Sequence, residues 1–187
     1  GWQIQKKGKS VQKTIEISLK KIIKEKISLV GQGRLDSGVH AISQSAHFET
    51  KNKILNTNKI LNRLNYLLNK DLISILSVKK RNKKFHSRYS AKARIYQYII
   101  FNRESVPTID KNRGWHIKKK INLENLKKGA KFLIGKRDFS TFRASSCSAK
   151  SPIRTLEKVN IFKKKNQISI EFKSKSFLQT QVRSMVG

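Results

Sequence analysis

Only four aspartates occur in the 187 residues, Asp36, Asp71, Asp110 and Asp138, and Asp36 has the setting best suited to chemistry. It follows Gly31 and Gly33 and precedes Gly38, so the backbone around it can turn sharply and a substrate can approach closely. Arg34 stands two residues before it and His40 four after. A Gly-x-x-Asp-x-Gly string serves two purposes, of which the turn is the commoner. Asp36 can bond its own backbone and stabilise a turn, or it can present a carboxylate from a glycine-flanked loop to a reaction that needs an anion. A second group able to do chemistry is the pair Tyr96 and Tyr98, two residues apart in a strand-like run and therefore on one face of a sheet.

Such residues need elements to hold them. From Ser10, an N-cap, apolar residues recur at Val11, Ile15, Leu19, Ile22 and Ile23, which predicts an amphipathic helix. A second helix is announced by Thr57 and carries Ile60, Leu61, Leu64, Leu67 and Leu68 on one face. A third follows Asn122, with Leu123, Leu126, Ala130 and Leu133 apolar. Strands are expected at Ala46–Thr50, Leu72–Val78, Arg94–Asn102, Arg154–Phe162 and Gln167–Lys173. In the last, Ile168, Ile170 and Phe172 alternate with Ser169, Glu171 and Lys173, the pattern of a sheet with one covered face. The succession predicts an α+β protein of two halves, residues 1–82 and 83–187, with the change of unit in the basic stretch Lys79–Lys84.

The chain carries 43 Lys plus Arg against 11 Asp plus Glu, a formal net charge of +32. A surface of that sign attracts polyanions, so RNA, DNA or an anionic membrane are the natural partners. Lys, Asn and Ile are also abundant, as A/T-rich codon usage would make them. Arginine discriminates better. Only 11 of the basic residues are Arg, and Arg34, Arg88, Arg94, Arg143, Arg154 and Arg183 all fall within motif-like segments, where a planar, forked donor has a use that Lys does not meet. The single Cys147 excludes an internal disulfide, and His40, His47, His86 and His116 lack metal-ligand spacing, so these histidines read as structural or RNA-contacting. No uncharged run approaches the length of a membrane span, and no phosphate-cradling or dinucleotide motif is present.

The nine residues Gly33-Arg34-Leu35-Asp36-Ser37-Gly38-Val39-His40-Ala41 resemble the signature G-R-T-D-A-G-V-H-A of the tRNA pseudouridine synthase A family. Further segments match that family in order. Gly1-Trp2-Gln3 is similar to the tryptophan that follows its first strand, and the run from Phe85 to Tyr98 to its central tyrosine motif. Gly135 to Arg143 and the closing Gln181-Val182-Arg183-Ser184-Met185-Val186-Gly187 resemble its later segments. Leu35 and Ser37 depart from the pattern, standing where the family usually has Thr and Ala.

The resemblance implies the pseudouridine synthase fold, with mainly antiparallel sheets flanked by helices and a central basic cleft. It implies conversion of uridine to pseudouridine in tRNA, usually at positions 38 to 40 of the anticodon stem-loop, by an isomerase that usually works as a homodimer. The base leaves the ribose through N1, turns, and is rejoined through C5. No redox change and no group donor is involved, so no cofactor and no metal is implied. Asp36 would act as a nucleophile toward C1′ or the base, or as a base removing a ribose proton. Arg183 would keep that carboxylate ionised, and Tyr96 would stack on the target uracil, leaving Tyr98 to pack. Arg34 would occupy the space left by the flipped base. Arg88, Arg143, Lys150 and Arg154 would contact phosphate, and His40 would join the RNA-binding set.

Both termini fall inside family motifs, so a longer chain is expected, and the 187-residue piece made alone is expected to be poorly soluble or inactive. A cytoplasmic or organellar-matrix enzyme fits the composition. Two other readings compete. A non-catalytic basic RNA-binding protein accounts for the charge without requiring Asp36, Tyr96 and Arg183 together. A pseudouridine synthase acting on another RNA keeps the same chemistry.

Overall fold

In the computed structural model, which describes residues 1–187, the chain divides into two compact units, Gly1–Ala91 and Lys92–Gly187. The architecture is mixed α+β in both.

The first unit is built on two helices. Helix α1 (Val11–Ile23) starts where Ser10 Oγ accepts from the Lys13 amide at 3.3 Å, and it ends at Lys24, which takes the left-handed conformation (φ 62°). Helix α2 (Thr57–Leu68) is capped by Asn56, one residue earlier than the Thr57 signal, through Oδ1 accepting from the Lys59 amide at 2.9 Å. Its carboxamide satisfies an amide that no helical carbonyl can reach. Ile15, Leu19 and Ile23 of α1 meet Ile60, Leu64 and Leu68 of α2, and Ile27 and Leu29 complete the buried cluster. Burying each such side chain contributes about 1.5–3 kcal/mol, which makes this cluster the main support of the unit.

The first unit has little sheet. Strands β1 (Val30–Gly31) and β2 (Ala46–His47) pair antiparallel through Val30↔His47 and Gly31↔Ala46, so only the start of the expected strand at Ala46–Thr50 is laddered. The strand expected at Leu72–Val78 does not form a ladder. The chain reverses at Leu72 (φ 53°) and then alternates as a strand would as far as Leu76, with Ile73 and Ile75, and Val78 one residue out of phase, packed on the helical cluster. Its pairing comes from a side chain. Asn65 Oδ1 accepts from the Ile75 amide at 2.7 Å, and Asn65 Nδ2 donates to the Ile75 carbonyl at 2.9 Å, doing for one residue what a neighbouring strand does for a whole edge.

The second unit is a five-stranded sheet with two helices. Its elements are β3 (Arg94–Asn102), β4 (Trp115–Ile117), α3 (Leu123–Leu133), β5 (Gly135–Asp138), β6 (Ile153–Lys164), β7 (Gln167–Ser174) and α4 (Gln181–Val186). The strand order is β4-β3-β7-β6-β5, antiparallel throughout except for the parallel pair β3 and β4. Ile168, Ile170 and Phe172 of β7 are buried with Ile100, Leu156, Phe139 and Leu178, as the alternation of β7 predicts. Asn122 caps α3 by accepting from the Glu124 and Asn125 amides, and Leu123, Leu126 and Leu133 lean on the sheet core.

The units part at Ala91 and Lys92, somewhat later than the basic stretch where the sequence changes character. Residues after Lys84 stay with the first unit because Ser87 is buried there, bonded to β1 and β2.

Candidate active site

Asp36 lies in the loop of residues 32–45 that joins β1 to β2. A two-pair ladder cannot hold such a loop by itself, and side chains and main chain fasten its stem. The Gln32 amide donates to the Ser45 carbonyl at 2.8 Å, and Gln44 Nε2 donates across the loop to the Gly33 carbonyl at 3.0 Å. At the tip, the Val39 amide donates to the Asp36 carbonyl at 3.2 Å, with Gly38 at φ 82°. A positive φ at the third position of a four-residue turn is the glycine position of a type II turn. The turn is thus closed through the main chain. Asp36, Arg34 and His40 all sit at the exposed surface of this unit.

Trp2 fastens the loop from outside. Its amide donates to the Leu35 carbonyl at 3.1 Å, next to Asp36, while its own carbonyl accepts from the Gln12 amide at 3.0 Å in the first turn of α1. The contact to Leu35 is through main chain, so the loop keeps this anchor although Leu replaces the usual Thr. The family signature marks Asp36, but no periodicity marks Trp2 as the residue that holds it.

The stem is fixed on its other side by the first part of the Phe85–Tyr98 motif. Ser87 Oγ donates to the Val30 carbonyl at 2.8 Å and lies 2.9 Å from His47 Nδ1, so one hydroxyl ties together both strands of the hairpin. Burial pushes the His47 imidazole below its ordinary pKa, and the nearby His86 adds to the effect, against a smaller opposing pull from Glu49. His47, His86 and Tyr89 form a series of tilted ring contacts with centroids 4.7 Å and 4.4 Å apart, and Tyr89 remains 74% exposed. The Arg88 guanidinium lies 5.7 Å from the Tyr89 ring, and that of Arg81 lies 5.8 Å from the Phe85 ring. Beside them an open hollow of about 480 Å³ is lined by Lys80, Arg81, Asn82, Lys84, Phe85 and Ser90, cationic with no acidic wall.

In the second unit, Tyr96 and Tyr98 share one face of β3, opposite Phe172 and Ile170 of β7. Tyr98 packs on the buried cluster. Tyr96 is half-buried and meets Phe177 edge-on, with centroids 5.0 Å apart at 85°. Helix α4 packs against β3, which brings the element carrying Arg183 beside the strand carrying Tyr96. The helix is pinned by Gln181, itself buried, whose Oε1 accepts from the Leu178 amide at 2.8 Å, while Arg183 stands on its exposed side.

Arg143 and Arg154 converge on Cys147. Backbone amides at Ala149 and Gln179 hold its thiol below the ordinary pKa, with the two guanidinium charges adding to the effect. Arg154 Nη1 donates to the Ser151 and Ile153 carbonyls at 2.9 Å and 2.7 Å, which braces the start of β6. Lys150 lies exposed in the same loop. His116 Nε2 is 2.8 Å from the Arg103 carbonyl, a structural contact. No group of three or more His, Cys, Asp or Glu side chains is placed to hold a metal ion, and no helix is long and apolar enough to cross a membrane.

The loop bearing Asp36 and the helix bearing Arg183 both lie in segments matched by a known family. The family model described as tRNA pseudouridine synthase covers residues 2–90 and 130–187, and the chain belongs to that family. Among curated relatives it is 61% identical to the tRNA pseudouridine synthase A of Pelagibacter ubique, over all of this chain and 76% of the relative. It is 40% identical to the protein of that name from Anaplasma marginale and 42% identical to that from Ehrlichia chaffeensis, again over all of this chain and 76% of each relative. Asp36, Arg143, Arg154 and Arg183 fall inside the matched spans, whereas Tyr96 falls between them.

Proposed function

We propose that this protein is an isomerase that converts uridine to pseudouridine in tRNA, with the anticodon stem-loop, positions 38 to 40, as its target. The observation that carries this reading is the Asp36 loop, whose carboxylate-bearing turn is fastened at its stem, its arm and its tip within a span matched by the family. Positioning of that kind suits a group that must meet a sugar or base at bonding distance.

Asp36 supplies the anion, as nucleophile or as base, while the bond from C1′ to N1 breaks and the bond from C1′ to C5 forms. The hydrogen on C5 is lost and N1 gains one, so the product is an isomer. Arg183 keeps the carboxylate ionised against enclosure by RNA. Tyr96 stacks on the uracil, and its phenol is the candidate for handling the C5 proton. Arg34 fills the gap in the stacked RNA. His40, Arg88, Arg143, Lys150 and Arg154 contact the RNA, for which a net charge of +32 supplies the long-range attraction. The protein works as a homodimer in the cytoplasm.

Replacing Asp36→Asn in the full-length protein should lower pseudouridine formation on tRNA transcripts by on the order of a thousandfold or more. Affinity for tRNA should be largely unchanged, because phosphate contacts dominate binding. Turnover equal to that of the unaltered protein would refute the assignment, and mapping pseudouridine in tRNA from cells lacking the gene would test the target positions.

A further inference from the structure

Trp2 and Gly31 have no part in the chemistry just described, yet the loop bearing Asp36 is built around them. The indole of Trp2 lies close against Gly31, so that a Cβ on Gly31 would fall 2.5 Å from Cε2, Cζ2 and Nε1 of the ring. Real Cβ atoms essentially never come that close, so a methyl there forces the ring to shift. Gly31 is not among the residues with positive φ. It must therefore be glycine for room and not for backbone conformation. The Trp2 main chain meanwhile joins the first turn of α1 to the Leu35 carbonyl. One residue thus touches the stem of the loop at Gly31 and its arm at Leu35, immediately before Asp36, and ties both to a helix whose buried face anchors the unit.

We infer that Trp2 and Gly31 form a positioning pair, in which the indole seated on the glycine sets where the Asp36 carboxylate is held for the reaction. This rests on Asp36 being the catalytic carboxylate. Trp2 acts through the loop and is a positioning residue. A methyl at Gly31 must displace the indole, either by turning the side chain, which unseats it from the stem, or by shifting the Trp2 main chain, which draws on the bond to Leu35. The polar clamps elsewhere on the stem, at Gln44 and Ser87, are separate from this contact, so the hairpin should persist with its tip displaced.

The test is a double-mutant cycle in the full-length protein, using Gly31→Ala, Trp2→Leu and the two together. Single-turnover pseudouridine formation and tRNA affinity are measured separately, with thermal melts as a control for folding. Gly31→Ala should slow the single-turnover step by about 10- to 100-fold, the loss expected when a reacting group is misplaced by a fraction of an ångström to an ångström, with tRNA affinity unchanged. Trp2→Leu, which adds no bulk, should slow it by about 10-fold, and it keeps the test informative if Gly31→Ala does not fold. Because the methyl harms only by displacing the indole, the double variant should be no slower than Trp2→Leu alone. Effects that multiply, a loss appearing in tRNA affinity instead of rate, or Trp2→Leu with an unchanged rate would each overturn the pairing. Asp36→Asn run alongside separates the two ideas. An inactive Asp36→Asn with a fully active Trp2→Leu refutes the positioning pair alone, and an active Asp36→Asn refutes the catalytic assignment beneath it.

Discussion

Asp36 and Tyr96 are held in place by opposite means. Tyr96 sits in a strand joined to β7 by eight register pairs, from Arg94↔Ser174 to Phe101↔Gln167, and the pleat then dictates which side chains face the core. The hairpin beneath Asp36 has two pairs, Val30↔His47 and Gly31↔Ala46. Its loop is held instead by a few separate groups, namely Gln44 on Gly33, Ser87 on Val30, and Trp2 on both Gly31 and Leu35. A laddered position is redundantly fixed and fails only when its sheet fails. A pinned loop can lose its geometry while its unit stays folded, which suits a reactive group that must be exposed.

The contrast can be broken most forcefully in the sheet. Phe172, 2% exposed and paired with Tyr96, should cost about 3–5 kcal/mol of stability when changed to Ala, through lost burial and the cavity left behind. Chemical denaturation should show that loss, with activity falling in step. A loss of activity with stability intact would mean that Tyr96 is pinned locally and not by the sheet. A smaller effect is expected from Ser87→Ala, which removes the hydroxyl bonded to the Val30 carbonyl and costs about 0.5–1.5 kcal/mol. Here the rate of pseudouridine formation should fall by more than the melting change accounts for. If rate and stability fall together, the loop is no more independent than the strand.

The smallest effect is one of pH. His47 has a folded pKa below its ordinary 6.5, from burial first and from His86 second. The unfolded chain therefore takes up a proton before the folded one does. The stabilisation is fully present above about pH 6.5 and is lost as pH falls through that value toward the lowered folded pKa. Melting temperature followed from pH 8 to pH 5 should decline on the acid side, and His47→Gln should flatten that part of the decline. An unchanged decline would assign it to other groups.

The long periodic elements were legible in the residue order. Helices α1, α2 and α3 and strands β3, β6 and β7 lie where apolar spacing predicts them, because each is long enough for its period to be read. Strands β1, β4 and β5 and helix α4, of two to six residues, are too short for that, and of the strand expected at Ala46–Thr50 only Ala46–His47 is laddered as β2. The segment Leu72–Val78 shows the limit from the other side. Its alternation is real and its inward residues do pack, but a strand also needs a partner for its edge, and here Asn65 supplies one residue's worth. Alternation reports which face is covered and says nothing of what lies alongside.

Residue type and order by themselves determined the family, the identity of Asp36 as the residue to examine, the placement of Tyr96 and Tyr98 on one sheet face, and the attraction for a polyanion. The tertiary structure alone decided how the Asp36 loop is held. Ser87 reaches Val30 across 57 residues of sequence, and Trp2 reaches Gly31 and Leu35 across about thirty, by contacts of main chain and ring that leave no period to read. Local spacing encodes local conformation, whereas the position of a loop depends on which distant surfaces the packed core brings against it.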